Sequence, residues 1–177
     1  MTAPCRVCHG EVAVITRLAQ SSWVLCRTCL SLHRTPIDTS FTDRFVSNAG
    51  YPWGVTSNGF SEASFAHDTN YSGTWWEFFA ARAAVRPKAA VLDFGSGTGP
   101  LLEHLKGRDL TVMGLEPSAQ NRDFSQRRGH TVIGGFLQSG MFSDQSVDVI
   151  HLCNSGQFVP DLVHVFRIFH DILTPDG

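Results

Sequence analysis

The nine-residue run Val91-Leu-Asp-Phe-Gly-Ser-Gly-Thr-Gly99 constrains this chain more than any other stretch. Val91, Leu92 and Phe94 around a single acid, Asp93, read as a short buried strand. The three glycines that follow let the backbone turn through positive φ and let another molecule approach the main chain closely. Pro100 comes next, at a position where a missing N–H costs nothing because the first turn of a helix leaves it unpaired anyway. A strand, a glycine turn and a helix in that order form the opening unit of a doubly wound parallel sheet.

The rest of the carboxy-terminal half agrees with that unit. Thr74 to Val85 reads as a helix, Ala89 to Phe94 as a strand, and Pro100 to Gly107 as a helix with Leu101, Leu102 and Leu105 inward. Thr111 to Glu116 is a second strand, Ser118 caps a helix running to Arg128, and Thr131 to Ile133 is a third strand. Val147 to Leu152 is a fourth strand, followed by a helix from Asp161 to Leu173 with Leu162, Val165, Phe166, Phe169 and Ile172 inward. Alternation of this kind specifies an α/β fold, with right-handed crossovers and a sheet covered on both faces.

A parallel sheet binds its ligand at the carboxyl ends of the strands. Gly95, Gly97 and Gly99 occupy the first such turn, and Glu116 closes the second strand, where a carboxylate can accept from both hydroxyls of a ribose. That pairing points to an adenosine-containing cofactor. The pattern is GxGxG followed by proline, not the GxGxxG of a dinucleotide fold, which argues against an NAD-linked enzyme. Asp93 would repel a pyrophosphate and welcome a sulfonium or an ammonium.

At these residues the chain resembles the class I S-adenosylmethionine-dependent methyltransferases. Val91–Gly99 is similar to the family's first motif, and Gly114-Leu-Glu-Pro-Ser118 to its second. Val147–Leu152 with Asn154–Asp161 resembles the fourth-strand motif, and Ile172–Gly177 the turn after the next helix. The resemblance covers residues 71 to 177. It implies a Rossmann-like sheet and S-adenosylmethionine held by Asp93, Gly95, Ser96, Gly97, Gly99, Glu116, Pro117, Phe136 and Asn154, with Tyr71 reaching over the donor. It also implies direct displacement of the methyl group, driven mainly by alignment of donor and acceptor.

The chain departs from the family in three places. At the end of the third strand it has Gly134-Gly-Phe136, so an acid for the adenine amino group is expected to be missing. The segment Asn154-Ser-Gly-Gln-Phe-Val-Pro-Asp161 lacks the two histidines and the glutamate of relatives, and no catalytic base is assigned. The sequence also stops at Gly177, where a fifth strand is expected. An incomplete core of this kind would leave the fourth strand as an exposed edge, to be covered by a second copy or a partner chain.

Cys5-x-x-Cys8 and Cys26-x-x-Cys29 are spaced as two turns that present four thiolates to one zinc ion. With all four positions filled by sulfur, the metal would be structural; a dithiol redox pair is the competing reading. Residues 1–35 are therefore expected to form a zinc ribbon, 36–70 a linker or lid, and 71–177 the cofactor domain. A ribbon before such a core resembles a bacterial group that methylates sugars and other small metabolites. Two CxxC pairs, which suit a reducing compartment where thiolates hold metal, and the absence of a leader or an apolar span suggest a cytoplasmic, membrane-free protein. A formal charge of −2, with 17% charged residues, gives little attraction for nucleic acid.

The expected function is thus methyl transfer to a small-molecule acceptor. A catalytically inactive cofactor-binding subunit is the alternative. An RNA-modifying enzyme would have to rely on the thin basic set Arg6, Arg17, Arg27 and Arg34. Cys153, His104, His151 and His164 are read as structural, and the aromatic group Trp75, Trp76, Phe78 and Phe79 as core.

Overall fold

The computed structural model describes residues 4–19, 22–35, 54–55 and 58–177. The amino-terminal unit is an antiparallel sheet of β1 (Val12–Arg17), β2 (Ser22–Cys26) and β3 (Leu32–Thr35), in that order. Among the described residues its buried core is Cys5, Val12, Val24 and Cys26. So small a core cannot offset the entropy of ordering the segment, and the sulfur cluster described below must contribute.

Helix α1 spans Glu62–Ala83. It therefore begins well before Thr74, inside the segment expected to be linker. Ser61 explains the start: its hydroxyl accepts from the Ser64 N–H (3.1 Å) while the Ser64 hydroxyl accepts from the Ser61 N–H (2.8 Å), a reciprocal cap. Phe60 and Phe65 pack edge-on against Phe124, with ring centroids 5.0 and 5.4 Å apart. Phe41, Phe45, Tyr51 and Trp53 lie outside the described residues, as does most of the 36–70 segment.

One stripe of α1 is buried. Gly73 lies flush against His104, and Trp76 packs on Val91, Leu101 and Leu105. Contrary to the reading of all four aromatics as core, Trp75, Phe78 and Phe79 are 48%, 55% and 36% exposed, and only Trp76 is buried. The cause is rotation along the helix: with a residue every 100° or so, a stripe centred on Trp76 turns Trp75 and Phe78 outward.

The sheet that follows is parallel. It contains β4 (Ala90–Phe94), β5 (Thr111–Glu116), β6 (Val132–Gly134) and β7 (Val149–His151) in the order β6-β5-β4-β7. Helices α2 (Pro100–Leu105), α3 (Ala119–Arg127, capped by Ser118) and α4 (Leu162–Ile172, capped by Asp161) complete the unit. β7 is shorter than the expected Val147–Leu152, and Val147 makes one isolated parallel bridge to Leu173.

Alternation along β4 sorts its side chains between two cores. Leu92 and Phe94 join Val165, Ile168, Phe169 and Ile172 of α4, whereas Val91 joins Trp76 on the other face. Phe166, expected inside, is 56% exposed. Ile168 takes its place because positions 165, 168, 169 and 172 fall on one stripe of α4. Strand order reverses at β4, between β5 and β7, which opens a crevice at the carboxyl end of the sheet. Among the described residues no helix is long and apolar enough to cross a membrane.

Candidate functional site

The crevice is built around one carboxylate. Glu116 is 2% exposed, and its two oxygens accept from different backbone N–H groups: Oε2 from Gly97 (2.8 Å) and Oε1 from Ser118 (2.8 Å). One side chain thus holds the apex of the glycine turn and the start of α3 in a fixed relation. Burial raises the Glu116 carboxyl above its ordinary range, with the Ser118 and Gly97 N–H groups opposing the shift. Each oxygen can still accept a further hydrogen bond, so the group can serve a ligand without releasing its backbone partners.

The turn itself is closed by Gly95 and Ser96, whose N–H groups donate to the Leu115 carbonyl at 2.9 and 3.1 Å. Gly95 has φ +75° and a Cβ built there would lie 2.5 Å from the Ser155 Cβ. Gly97 has φ +57°, yet a Cβ there would meet no atom within 4 Å. The first glycine is required by packing and the second leaves room above the backbone. Ser155 reinforces the arrangement by donating from its hydroxyl to the Phe94 carbonyl (2.6 Å). Beside it Asn154 adopts the left-handed region, φ +54°, which asparagine tolerates better than most side chains.

A cavity of about 360 Å³ opens between these pieces, within the range of small-molecule sites. Gly95, Glu116, Pro117, Phe136 and Asn154, all expected at the site, line it. Ser96, Gly97 and Gly99 shape the turn without lining the cavity. Asp93, 5% exposed, also stays out of the lining, and its Oδ1 lies 2.8 Å from His151 Nδ1. Tyr71 is not brought to the cavity. It sits within α1, 47% exposed, with its ring edge-on to Trp75 at 6.2 Å, because the helix starts nine residues before it and is not preceded by it.

Several wall residues went unassigned in the sequence. Phe158, Val159 and Pro160 of the loop after β7, and His164 and Val165 of α4, close the side opposite Glu116. The motif Asn154–Asp161 was visible, but which of its residues face inward depends on the short 3₁₀ turn Gly156–Phe158. Asp161 accepts from the His164 N–H (2.9 Å), and this bond holds its carboxyl below the ordinary range.

The four cysteines of the amino-terminal unit come together with every sulfur within 4.8 Å of the others, Cys5 to Cys29 at 3.7 Å and Cys8 to Cys26 at 3.5 Å. Zinc–sulfur bonds of ~2.3 Å in a tetrahedron require sulfurs ~3.8 Å apart. Backbone N–H groups of Val7, Thr28 and Cys29 point at Cys5 and Cys26 sulfurs at 3.3 to 3.4 Å, as suits thiolates. The Ser31 hydroxyl lowers the Cys5 thiol to about 5 and also lowers that of Cys29. A contact at the Gly10 backbone works to lower Cys8 as well, but the neighbouring Cys26 and Cys29 sulfurs outweigh it and push that thiol up to about 12. Four negative sulfurs cannot coexist at these distances without a cation, so the donor set fits a divalent soft metal.

Fold and site together define a Rossmann-like domain with a cavity at its strand ends. Residues 67–177 match the profile of the family described as "Methyltransferase domain", and the chain belongs to that family. An uncharacterized methyltransferase of Anoxybacillus flavithermus is 33% identical over 84 residues, which are 45% of this chain and 40% of that protein. Another, from Oceanobacillus iheyensis, is 30% identical over 91 residues, 49% of this chain and 43% of that one. The matched region is thus about two fifths of each relative's length. A crystal structure of a candidate S-adenosyl-L-methionine-dependent methyltransferase from Methanococcus maripaludis superposes with a TM-score of 0.56 at 20% identity, over 63% of this chain and 54% of that one. At that identity the likeness shows the fold.

The two glycines separate strain from collision. Gly95→Ala and Gly97→Ala both place a Cβ at positive φ, a strain of about 1–2 kcal/mol, but only the first also meets Ser155. Urea denaturation should show Gly95→Ala to be the less stable of the two. Equal midpoints would contradict the close approach of residue 155.

Proposed function

We propose that the cavity binds S-adenosylmethionine and that the protein transfers its methyl group to a small molecule. The observation that carries this reading is Glu116, a buried carboxylate at the end of the second core strand that lines the cavity. In this reading the ribose hydroxyls donate to Glu116, the adenine lies between Pro117 and Phe136 on one side and Phe158 and Val159 on the other, and the sulfonium end runs past Gly95. Methyl transfer by direct displacement needs no covalent enzyme intermediate, so positioning carries most of the catalysis. A small acceptor fits the net charge of −2 better than a polyanion does.

Calorimetric titration with S-adenosylmethionine tests the assignment. Binding should be measurable at micromolar to millimolar ligand, and Glu116→Ala should weaken it by about tenfold or more through the loss of charge-assisted hydrogen bonds. A titration that releases no heat, or a Glu116→Ala variant with unchanged affinity, contradicts it. The pH dependence has a definite sign. A ribose hydroxyl donates to the ionised carboxylate, so affinity is full above the folded pKa of Glu116 and falls as protonation removes the acceptor. Because burial raises that pKa, the fall should begin at a higher pH than for an ordinary glutamate of about 4.3.

For the amino-terminal unit we infer a single structural zinc held by Cys5, Cys8, Cys26 and Cys29. Metal analysis should give one zinc per chain, and chelation should abolish the circular-dichroism signal of the small sheet while leaving the Rossmann-like domain folded. Zinc-free protein that keeps β1–β3 intact would overturn the inference.

A further inference from the structure

Beside Glu116, on the first turn of α3, one buried amide joins two parts of the chain that are far apart in sequence. Asn121 is 1% exposed, and its Oδ1 accepts from the Val55 N–H at 3.1 Å. Gly54 takes φ +87°, and a Cβ built there would collide with the Asn121 amide group. Only a glycine lets the chain bend this way and lie flush on that side chain. The turn at residues 54 and 55 is thus matched to Asn121 twice, by the side chain it lacks and by the N–H it donates.

The other end of the amide serves the site. Ser118 donates from its N–H to Glu116 Oε1 (2.8 Å), and its hydroxyl accepts from the Asn121 N–H (3.4 Å), so carboxylate and amide hang on the same helix start. Burial raises the Glu116 carboxyl most and the charge of Asp93 on β4 adds to the rise, while the Asn121 side chain works with the two backbone donors to lower it. An amide lowers a carboxyl by offering an N–H to its ionised form, so Nδ2 is the end that acts on Glu116. That nitrogen is buried and has no hydrogen-bond partner of its own among the described residues, a costly state for a donor. Gly54, Val55 and Asn121 do not line the cavity, so their effect on a ligand there passes through Glu116.

We propose that Asn121 is a positioning residue that ties the Gly54–Val55 turn to Glu116, so that a nucleoside held by Glu116 and the Val55–Asn121 hydrogen bond stabilise one another. The inference rests on the cofactor assignment above. Fixing Oδ1 against the Val55 N–H fixes the plane of the amide and with it the direction of Nδ2. Ribose hydroxyls that donate to Glu116 favour its ionised form, the form to which an N–H bonds best. Each event prepares the amide for the other, and a coupling of this kind is reciprocal: the turn raises ligand affinity by the factor by which the ligand holds the turn. Residues 54 and 55 thereby contribute to cofactor affinity without touching the cofactor.

The test begins with calorimetric titration of S-adenosylhomocysteine into the unsubstituted chain. Absence of binding there defeats the cofactor assignment and this inference with it, whereas every later failure defeats only the coupling. In isotope-labelled protein, saturating S-adenosylhomocysteine should slow hydrogen exchange at the Val55 N–H by about tenfold. Gly54→Ala displaces the turn while both Glu116 and Asn121 remain; it should weaken S-adenosylhomocysteine by a comparable factor and abolish the slowing at residue 55. Asn121→Ala removes a group that lowers Glu116, so the pH at which affinity falls should move upward. Mere damage to packing would weaken binding alike at every pH. Val55 exchange that the ligand leaves unchanged, full affinity in Gly54→Ala, or an Asn121→Ala variant whose affinity falls at the same pH as that of the unsubstituted chain would each overturn the proposal.

Discussion

The site depends on keeping a carboxylate almost entirely buried at the edge of a cavity. Glu116 is stripped of solvent by the same close packing that builds the sheet, and that burial works against its charge. Two backbone N–H groups compensate, one from the glycine turn and one from the start of α3. The bonds couple three elements that are far apart in sequence: the turn after β4, the end of β5 and the cap of α3. Loss of the carboxylate would therefore take one acceptor from the Gly97 N–H and one from the Ser118 N–H, loosening the turn and the start of α3 together.

From that anchor the rest of the crevice follows by sheet topology. Parallel pairing of β4 with both β5 and β7 brings the ends of three strands together, and the reversal of strand order at β4 keeps the space above them open. Ser155 then ties the loop after β7 back to the Phe94 carbonyl and so fixes one wall of the cavity.

Much of this was legible in the residues. The glycine run, the acid closing the second strand and the paired cysteines are local signals whose meaning depends on spacing within a few positions; the structure brings Gly95 and Glu116 to one cavity and gathers the four cysteine sulfurs. What escaped was set by longer-range relations. The pairing of Asp93 with His151 depends on register between strands 58 positions apart, and nothing local to His151 distinguishes it from a buried neutral histidine. The start of α1 was hidden because its cap is Ser61 with Ser64 rather than with a glutamate or glutamine, in a stretch whose polar composition suits a loop. Tyr71 was misplaced as a direct result. Phe166 and Ile168 exchanged roles because a stripe can be displaced by one residue while the apolar content of the helix stays the same.

The central claim is that Glu116 serves the ligand while still holding its two backbone partners. A crystal structure with S-adenosylhomocysteine bound tests it most directly. The account requires ribose hydroxyls within about 2.5–3.0 Å of the Glu116 oxygens, with the Gly97 and Ser118 N–H bonds intact. A ligand found in the cavity with its ribose turned away from Glu116, or bound elsewhere on the chain, would contradict it.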